Sequence, residues 1–482
     1  MTDEPQGPGW WQASDLKWYP PEKRPDTAAS PPTQHAGLSN PVALGAISPD
    51  AISSTAYGPE QILVELLPWA GMAAYALLLP ITAVILLILV FVAASYRQVV
   101  TIYGRAGGAY TVARANFGPR VAQVAKAALL IDYVATVAVQ CAAGTVAVAS
   151  AIPVLGPYSL EITVAAVVFM WLANLLGLRR AGRIFAIATY SFVAMITLTI
   201  VAGLVRAVFS GLPRYDPGHM MGAVPIHHGS GLVMGATILV LLRAIANGGS
   251  SLTGVEAIPN TVNVFRQPQG PNARRVLTAT ACILGFFMIG VAWLAHATHA
   301  TPFLDGYPSV LSEIARAVFG QGLVGKILFL LVQAATAAIL FTGANTSFNG
   351  FPALAGFVAN DELQPHSLPN RVYRRAFAGG TIVLALVSVA LLVAAGGSVN
   401  VLVPLYAIGV FTVFSMAGYA MTKHHLTHRE RGWQRNLAIS LCAGILSSIV
   451  VVIFVVAKFT EGSWLVVLVF LILVPTLIWR DR

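Results

Sequence analysis

The chain has 482 residues, 57% of them hydrophobic and only 10% charged, with a mean hydropathy of +0.74. A soluble protein of this length needs far more charge to cover its surface, so a water-soluble globular fold is excluded. The net charge of +10 does not mark a nucleic-acid binder, because the basic residues sit in short loops beside apolar runs.

Residues 1–40 are polar and Pro-rich, lack a signal-peptide core, and read as a disordered tail. Within them Trp10, Trp11, Trp18 and Tyr19 form a Trp-rich element whose rings suit a membrane interface. An inert spacer is the plainer alternative.

A transmembrane domain follows over 41–480, with about twelve apolar spans near 41–66, 70–95, 120–151, 159–178, 184–209, 232–259, 275–298, 323–350, 375–397, 400–421, 436–457 and 463–480. Spans one and six break in the middle. The first break reads Ala46-Ile-Ser-Pro-Asp-Ala-Ile-Ser-Ser-Thr-Ala-Tyr-Gly-Pro-Glu60, the second Ala246-Asn-Gly-Gly-Ser-Ser-Leu-Thr-Gly-Val-Glu256. Hydrocarbon cannot satisfy open backbone groups, so such breaks survive only inside protein or beside a watery cavity. Paired Gly/Pro-interrupted spans in two halves of a chain point to a transporter's binding site.

The two breaks open blocks of five spans, 41–209 and 232–421, that run in opposite directions, and spans eleven and twelve (436–480) are an appendix. Direct identity between the blocks is slight, so the repeat rests on spacing and on the breaks. Arginines 97, 105, 114 and 120 follow span two; 179, 180 and 183 follow span four; 266, 274 and 275 follow span six; 371, 374 and 375 follow span eight. Lys423, Arg429, Arg431 and Arg435 follow span ten, and Arg480 and Arg482 end the chain. All fall on one side, shared by both termini, which the positive-inside rule makes cytoplasmic in a multi-pass cell-membrane protein.

Ionisable residues inside spans mark function or need a partner. They are Asp50, Glu60, Asp132, Arg243 and Glu256, with Arg243 a possible structural partner of Asp132. Asp132, Thr136 and Gln140 stack at i, i+4, i+8 on one helix face, and Thr253 and Glu256 stand i, i+3 past the second break. Asp50 and Tyr57 lie about two turns apart around the first. Such oxygens suit a stripped cation; bare N–H groups of a broken helix suit a substrate carboxylate. Both readings are open from the breaks alone. Thr136 and Thr253 could instead bond their own backbone, Gln140 could be helix glue, and Tyr57 could be packing. Glu60 and Glu65 are placed near the outer surface, outside the site. Cys141, Cys282 and Cys442 read as buried, unpaired thiols. His227, His228 and His299 read as solvated. His424, His425 and His428 belong to a basic loop, with a metal site the lesser alternative, and no enzyme constellation, cofactor motif or transition-metal site is expected.

These stretches resemble the amino acid–polyamine–organocation permease superfamily over nearly all of 40–480, and within it the bacterial proton-coupled potassium importers. The residues that carry the likeness are Ser48–Leu63, Gly107-Gly-Ala-Tyr110, Asp132-Tyr-Val-Ala-Thr136, Ser250–Ala257 and Pro404–Gly409. The resemblance implies an all-α integral membrane protein with a LeuT-like 5+5 inverted repeat and discontinuous helices one and six. It implies potassium at Asp50, Tyr57, Asp132, Tyr133, Thr136, Thr253, Glu256 and Tyr406, with Gln140 where the branch often has Ser, and with Asp50 or Glu256 carrying a proton. An amino-acid or polyamine permease on the same scaffold is the alternative, less suited to the acidic first break. Some relatives carry a cytosolic C-terminal domain tied to cyclic-dinucleotide control and to dimers; this sequence ends at Arg482, just after its last span, so that control is unsupported here and a homodimer stays open but unsupported.

Overall fold

In the computed structural model the described residues are 11–12, 18–19, 37–104, 107–175, 182–227, 229–359 and 370–480. Arg105, Arg179, Arg180, His228, Arg482 and most of the tail lie outside them, as do the side chains of Arg183, Arg371, Arg374, Arg375 and Arg480. Met1–Leu38 and Ser39–Arg482 are two separate compact units. In the first, β1 (Trp11–Gln12) and β2 (Trp18–Tyr19) pair antiparallel, Trp11 opposite Tyr19. Aromatic residues favour such pairing, which a purely compositional reading as disorder passes over.

In the second unit the described residues form seventeen α-helices. The first block contains α1 (Asn40–Ile47), α2 (Pro49–Ser53), α3 (Gly58–Ala70), α4 (Ala73–Ile102), α5 (Gly108–Phe117), α6 (Pro119–Ala151), α7 (Ser159–Leu175) and α8 (Gly182–Phe209). The second contains α9 (Ile238–Gly249), α10 (Ala257–Asn260), α11 (Gln269–Thr298), α12 (Val310–Phe319), α13 (Leu323–Ala359), α14 (Asn370–Ala394) and α15 (Val399–Thr427). The appendix is α16 (Trp433–Ala457) and α17 (Ser463–Arg480).

All twelve expected spans are present: α1–α3 and α9–α10 are the broken first and sixth, and α5 and α12 are short connectors. Among the described residues, eight helices are long and apolar enough to cross a bilayer as single pieces. A helix closes most of its backbone hydrogen bonds internally, which hydrocarbon requires; Pro80 in α4 and Pro404 in α15 each remove one. Span six begins later than its hydropathy suggests, because 231–236 form turns ahead of Thr237, whose hydroxyl caps α9 by accepting from Val240 N at 3.3 Å.

Burial sorts the bundle. The apolar windows of α6 and α15 are 78% and 83% buried, whereas those of α7 and α8 are 22% and 28% buried and face outward. Equivalent helices of the two blocks pack on one another: α3 on α9, α4 on α11, α6 on α13. A pseudo-two-fold axis running between the two blocks brings such equivalent helices together. The connectors match too. Ala113-Arg-Ala-Asn-Phe-Gly118 in α5 and Ala315-Arg-Ala-Val-Phe-Gly320 in α12 share five of six residues. Both helices span ten residues and stop at the glycine. This direct repeat is missed when whole spans are compared, because membrane helices tolerate any apolar side chain on their lipid face.

Candidate functional site: an acidic cluster where two helix breaks cross

The breaks meet at the bundle centre but are built differently. In the first, α1 stops at Ile47, and Pro49 and Pro59, which lack N–H donors, open α2 and α3. Between them Ser54–Ala56 form a 3-10 turn. Backbone bonds persist, with Ile52 N to Ser48 O at 3.0 Å and Tyr57 N to Ser54 O at 3.3 Å. The first break is therefore jointed rather than unwound, a correction to the expectation of open backbone. The second does open. After Ser250–Leu252, Thr253 is extended (φ −65°, ψ 159°) and helix resumes only at Ala257. Between them Gly254 adopts φ +82°, a conformation costly for any other residue. A Cβ at Gly254 would stand 2.8 Å from Asp50 Cγ, so the two breaks are in direct contact.

Asp50, Tyr57, Asp132, Thr136, Gln140, Thr253, Glu256 and Tyr406 are all buried. Gln140 of α6 donates to Asp50 Oδ1 at 2.6 Å, while its Oε1 accepts from Ser53 Oγ at 3.0 Å. Gln140 thus ties α6 to the first break. Gly343 of α13 makes room for it, since a Cβ there would lie 2.9 Å from Gln140 Oε1. Thr136 donates to Asp132 Oδ1 at 3.3 Å. Glu256 Oε1 accepts from Gly254 N at 2.9 Å, and Glu256 Oε2 has no hydrogen-bond partner among the described residues. The Tyr406 hydroxyl donates to Thr253 Oγ1, which donates to Ser250 O at 2.9 Å. Tyr57 lies beside both hydroxyls, yet its own oxygen makes no well-angled hydrogen bond. Asp50, Asp132 and Glu256 are close enough to feel one another's charge.

Eight of the nine expected residues converge here. Tyr133 stands at the margin: one residue turns an α-helix by about 100°, and Tyr133 is half-buried against Gly350 and Asn260. Ser53 and Ser54 were not anticipated. Ser54 Oγ lies 2.6 Å from both Ala51 O and Ser251 O, donating to one at a time across the crossing. The Ser-Ser pair at the same depth in each break was the available signal.

Arg243 does not serve Asp132. Its Nε donates to Glu65 Oε2 at 2.8 Å and its other nitrogens reach Glu461 and Ala457 O. Lys458 Nζ donates to Glu65 Oε1 at 2.5 Å and Asn247 to the same oxygen at 2.8 Å. Glu65 is thus buried inside an ion-pair network. Burial opposes ionisation of Glu461 in the loop before α17, but Lys458 and Arg243 outweigh it and hold its carboxyl below its ordinary value. Among the described residues no basic side chain forms an ion pair with Asp50, Asp132 or Glu256. Of the cysteines only Cys141 is buried; Cys282 is exposed and Cys442 half-buried. His299 is also not simply solvated, since it stacks on Tyr75 at 4.8 Å. His424 contacts Tyr103 and His425 contacts Gln98, both on the end of α4.

The amino acid permease family model matches residues 51–478. The chain belongs to this family. Among curated relatives, the potassium transporter KimA of Bacillus subtilis (strain 168) is 35% identical over 419 residues, 86% of this permease. The permease spans 66% of that relative's length. A crystal structure of a manganese transporter mutant from Eremococcus coleocola is 13% identical, covering 94% of this chain and 96% of its own. Its TM-score of 0.46 is too low for the likeness to bear on fold or function. The permease is a multi-pass membrane protein.

Proposed function

We propose that this permease is a secondary active transporter that imports potassium together with protons. The observation that carries the reading is the uncompensated acidic cluster: three buried carboxylates, flanked by hydroxyls, without an ion-paired basic residue among the described ones. A dehydrated cation meets oxygen there from Asp132, Thr136, Thr253, Tyr57 and Tyr406, replacing its water as selectivity filters do. An amino-acid substrate is served poorly. Its carboxylate needs bare N–H groups, but the Gly254 N–H of the open break already binds Glu256. The 35% identity to a potassium transporter favours the same substrate.

Asp132, braced by Thr136, attracts the ion. Glu256, with one oxygen unpartnered, is better placed than Asp50 to take the proton, because Gln140 already engages Asp50. Both termini lie in the cytoplasm, on the side of the basic loops. Alternating access rocks the α1–α3 and α9–α10 pair with its neighbours against the rest of the 41–209 and 232–421 repeat. The test is rubidium uptake in a strain lacking its own potassium importers. Asp132→Asn and Glu256→Gln should each cut it by about a hundredfold; uptake that stays at the wild-type rate in both contradicts the assignment.

A further inference from the structure

Above the acidic cluster, and sharing only Tyr57 with the proposed transport site, lies a second chamber. It is a cavity of about 280 Å³ bounded by the break residues Ala56 and Tyr57, by α3, by the far end of α6, and by the loops at 304–309 and 396–400. Those loops lie on the side opposite the basic ones. The volume is far more than one water needs. Glu60 and Asp305 are its charged groups, and among the described residues that line it none is Lys, Arg or His.

Its polar groups are arranged for a cation. Gln61 is buried and donates its amide N–H to Asn400 Oδ1 at 2.6 Å. That bond leaves Gln61 Oε1 buried in the cavity wall without a donor. Leaving a buried acceptor unmet is costly, a cost that a positive guest removes. Tyr57 is shared by the chamber and the cluster below, and its hydroxyl is also unmatched. Glu60 is fixed from behind, its Oε2 accepting from Val310 N at the start of α12 at 3.0 Å. Asp305 is exposed at the rim and forms no ion pair among the described residues.

We propose that this chamber is an outer station for a partly hydrated monovalent cation, held by Glu60, Gln61, Asn400 and Asp305 and separated from the deeper site by Tyr57. It rests on the reading of the permease as a cation importer. A chamber lined by one sign of charge with low-dielectric walls concentrates counter-ions. The station raises the ion's local concentration before the costly loss of its last waters. A larger zwitterion gains nothing from it, since its carboxylate would face Glu60 and Asp305.

The test is equilibrium binding of rubidium to the purified full-length protein. In Glu256→Gln protein, a weak rubidium component should remain, and adding Glu60→Gln and Asp305→Asn should remove it. Gln at position 60 retains an oxygen for the Val310 N–H, and a melting curve checks the fold. In reconstituted vesicles at low ionic strength, Asp305→Asn alone, at an exposed position, should raise the KM for rubidium roughly tenfold. Added choline chloride should shrink that difference by screening. Residual binding indifferent to both outer substitutions, or an unchanged KM in Asp305→Asn, overturns the station. Failure of the wild type to transport rubidium while the outer component still binds would instead sink the importer reading and leave the station standing.

Discussion

Two sets of carboxylates sit inside this bundle, and they are treated in opposite ways. Glu65, with its neighbour Glu461, is met by Arg243, Lys458 and Asn247, so that charge is balanced and every contact is a short, direct one. Asp50, Asp132 and Glu256, equally buried, receive neutral donors: Gln140, Thr136 and a backbone N–H. Carboxylates out of water are expensive and need compensation. Where the protein supplies the counter-charge itself, the network fastens α3 and α9 to the α16–α17 turn. Where it does not, the deficit is available to a mobile cation or proton.

The comparison breaks if the two sets respond alike to substitution. The largest effect should come from Glu65→Ala, which leaves Arg243 and Lys458 with the half-exposed Glu461 as their one carboxylate among the described residues; stability should fall by about 3 kcal/mol, read as a lower melting temperature in detergent. Glu256→Gln should do the reverse, leaving melting unchanged or raised while cutting rubidium uptake by about a hundredfold, the equivalent of ~3 kcal/mol for a lost contact to charge. If Glu256→Gln unfolds the protein as Glu65→Ala does, the cluster is structural. Gln140→Leu deprives Asp50 of its donor and should raise the KM for rubidium about tenfold, with a smaller change in melting. The smallest effect concerns acid. Because the Glu461 carboxyl is held below its ordinary value near 4.5, its contribution is present above that pH and is lost as pH falls through the lowered value. Melting temperature should therefore drop more steeply below about pH 4.5 in the wild type than in Glu461→Gln.

The parts of this architecture written along one segment were legible in the sequence. Apolar length marked the twelve spans, and Pro49, Pro59 and Gly248–Gly249 marked the two breaks, because hydrocarbon permits so few backbone alternatives. The face shared by Asp132, Thr136 and Gln140 followed from helical period. What could not be read was pairing across the chain. Arg243 has Asp132 and Glu65 both within plausible sequence contexts, and only the rotation of α9 against α3 decides for Glu65. Lys458, 393 positions from Glu65, carries no local sign of its partner. The jointed first break and the open second break look alike in composition; the difference lies in Gly254, which is pressed against Asp50.

The most direct measurement is the melting temperature of the purified permease across alkali cations and neutral amino acids. A ligand that binds the folded state alone stabilises it by about 2.7 kcal/mol at 100 times its Kd. Potassium and rubidium should raise the melting temperature of the wild type; the rise should shrink in Glu256→Gln to the small part owed to the outer chamber, and vanish when Glu60→Gln and Asp305→Asn are added. Stabilisation by an amino acid with indifference to potassium and rubidium would contradict a cation in the acidic cluster.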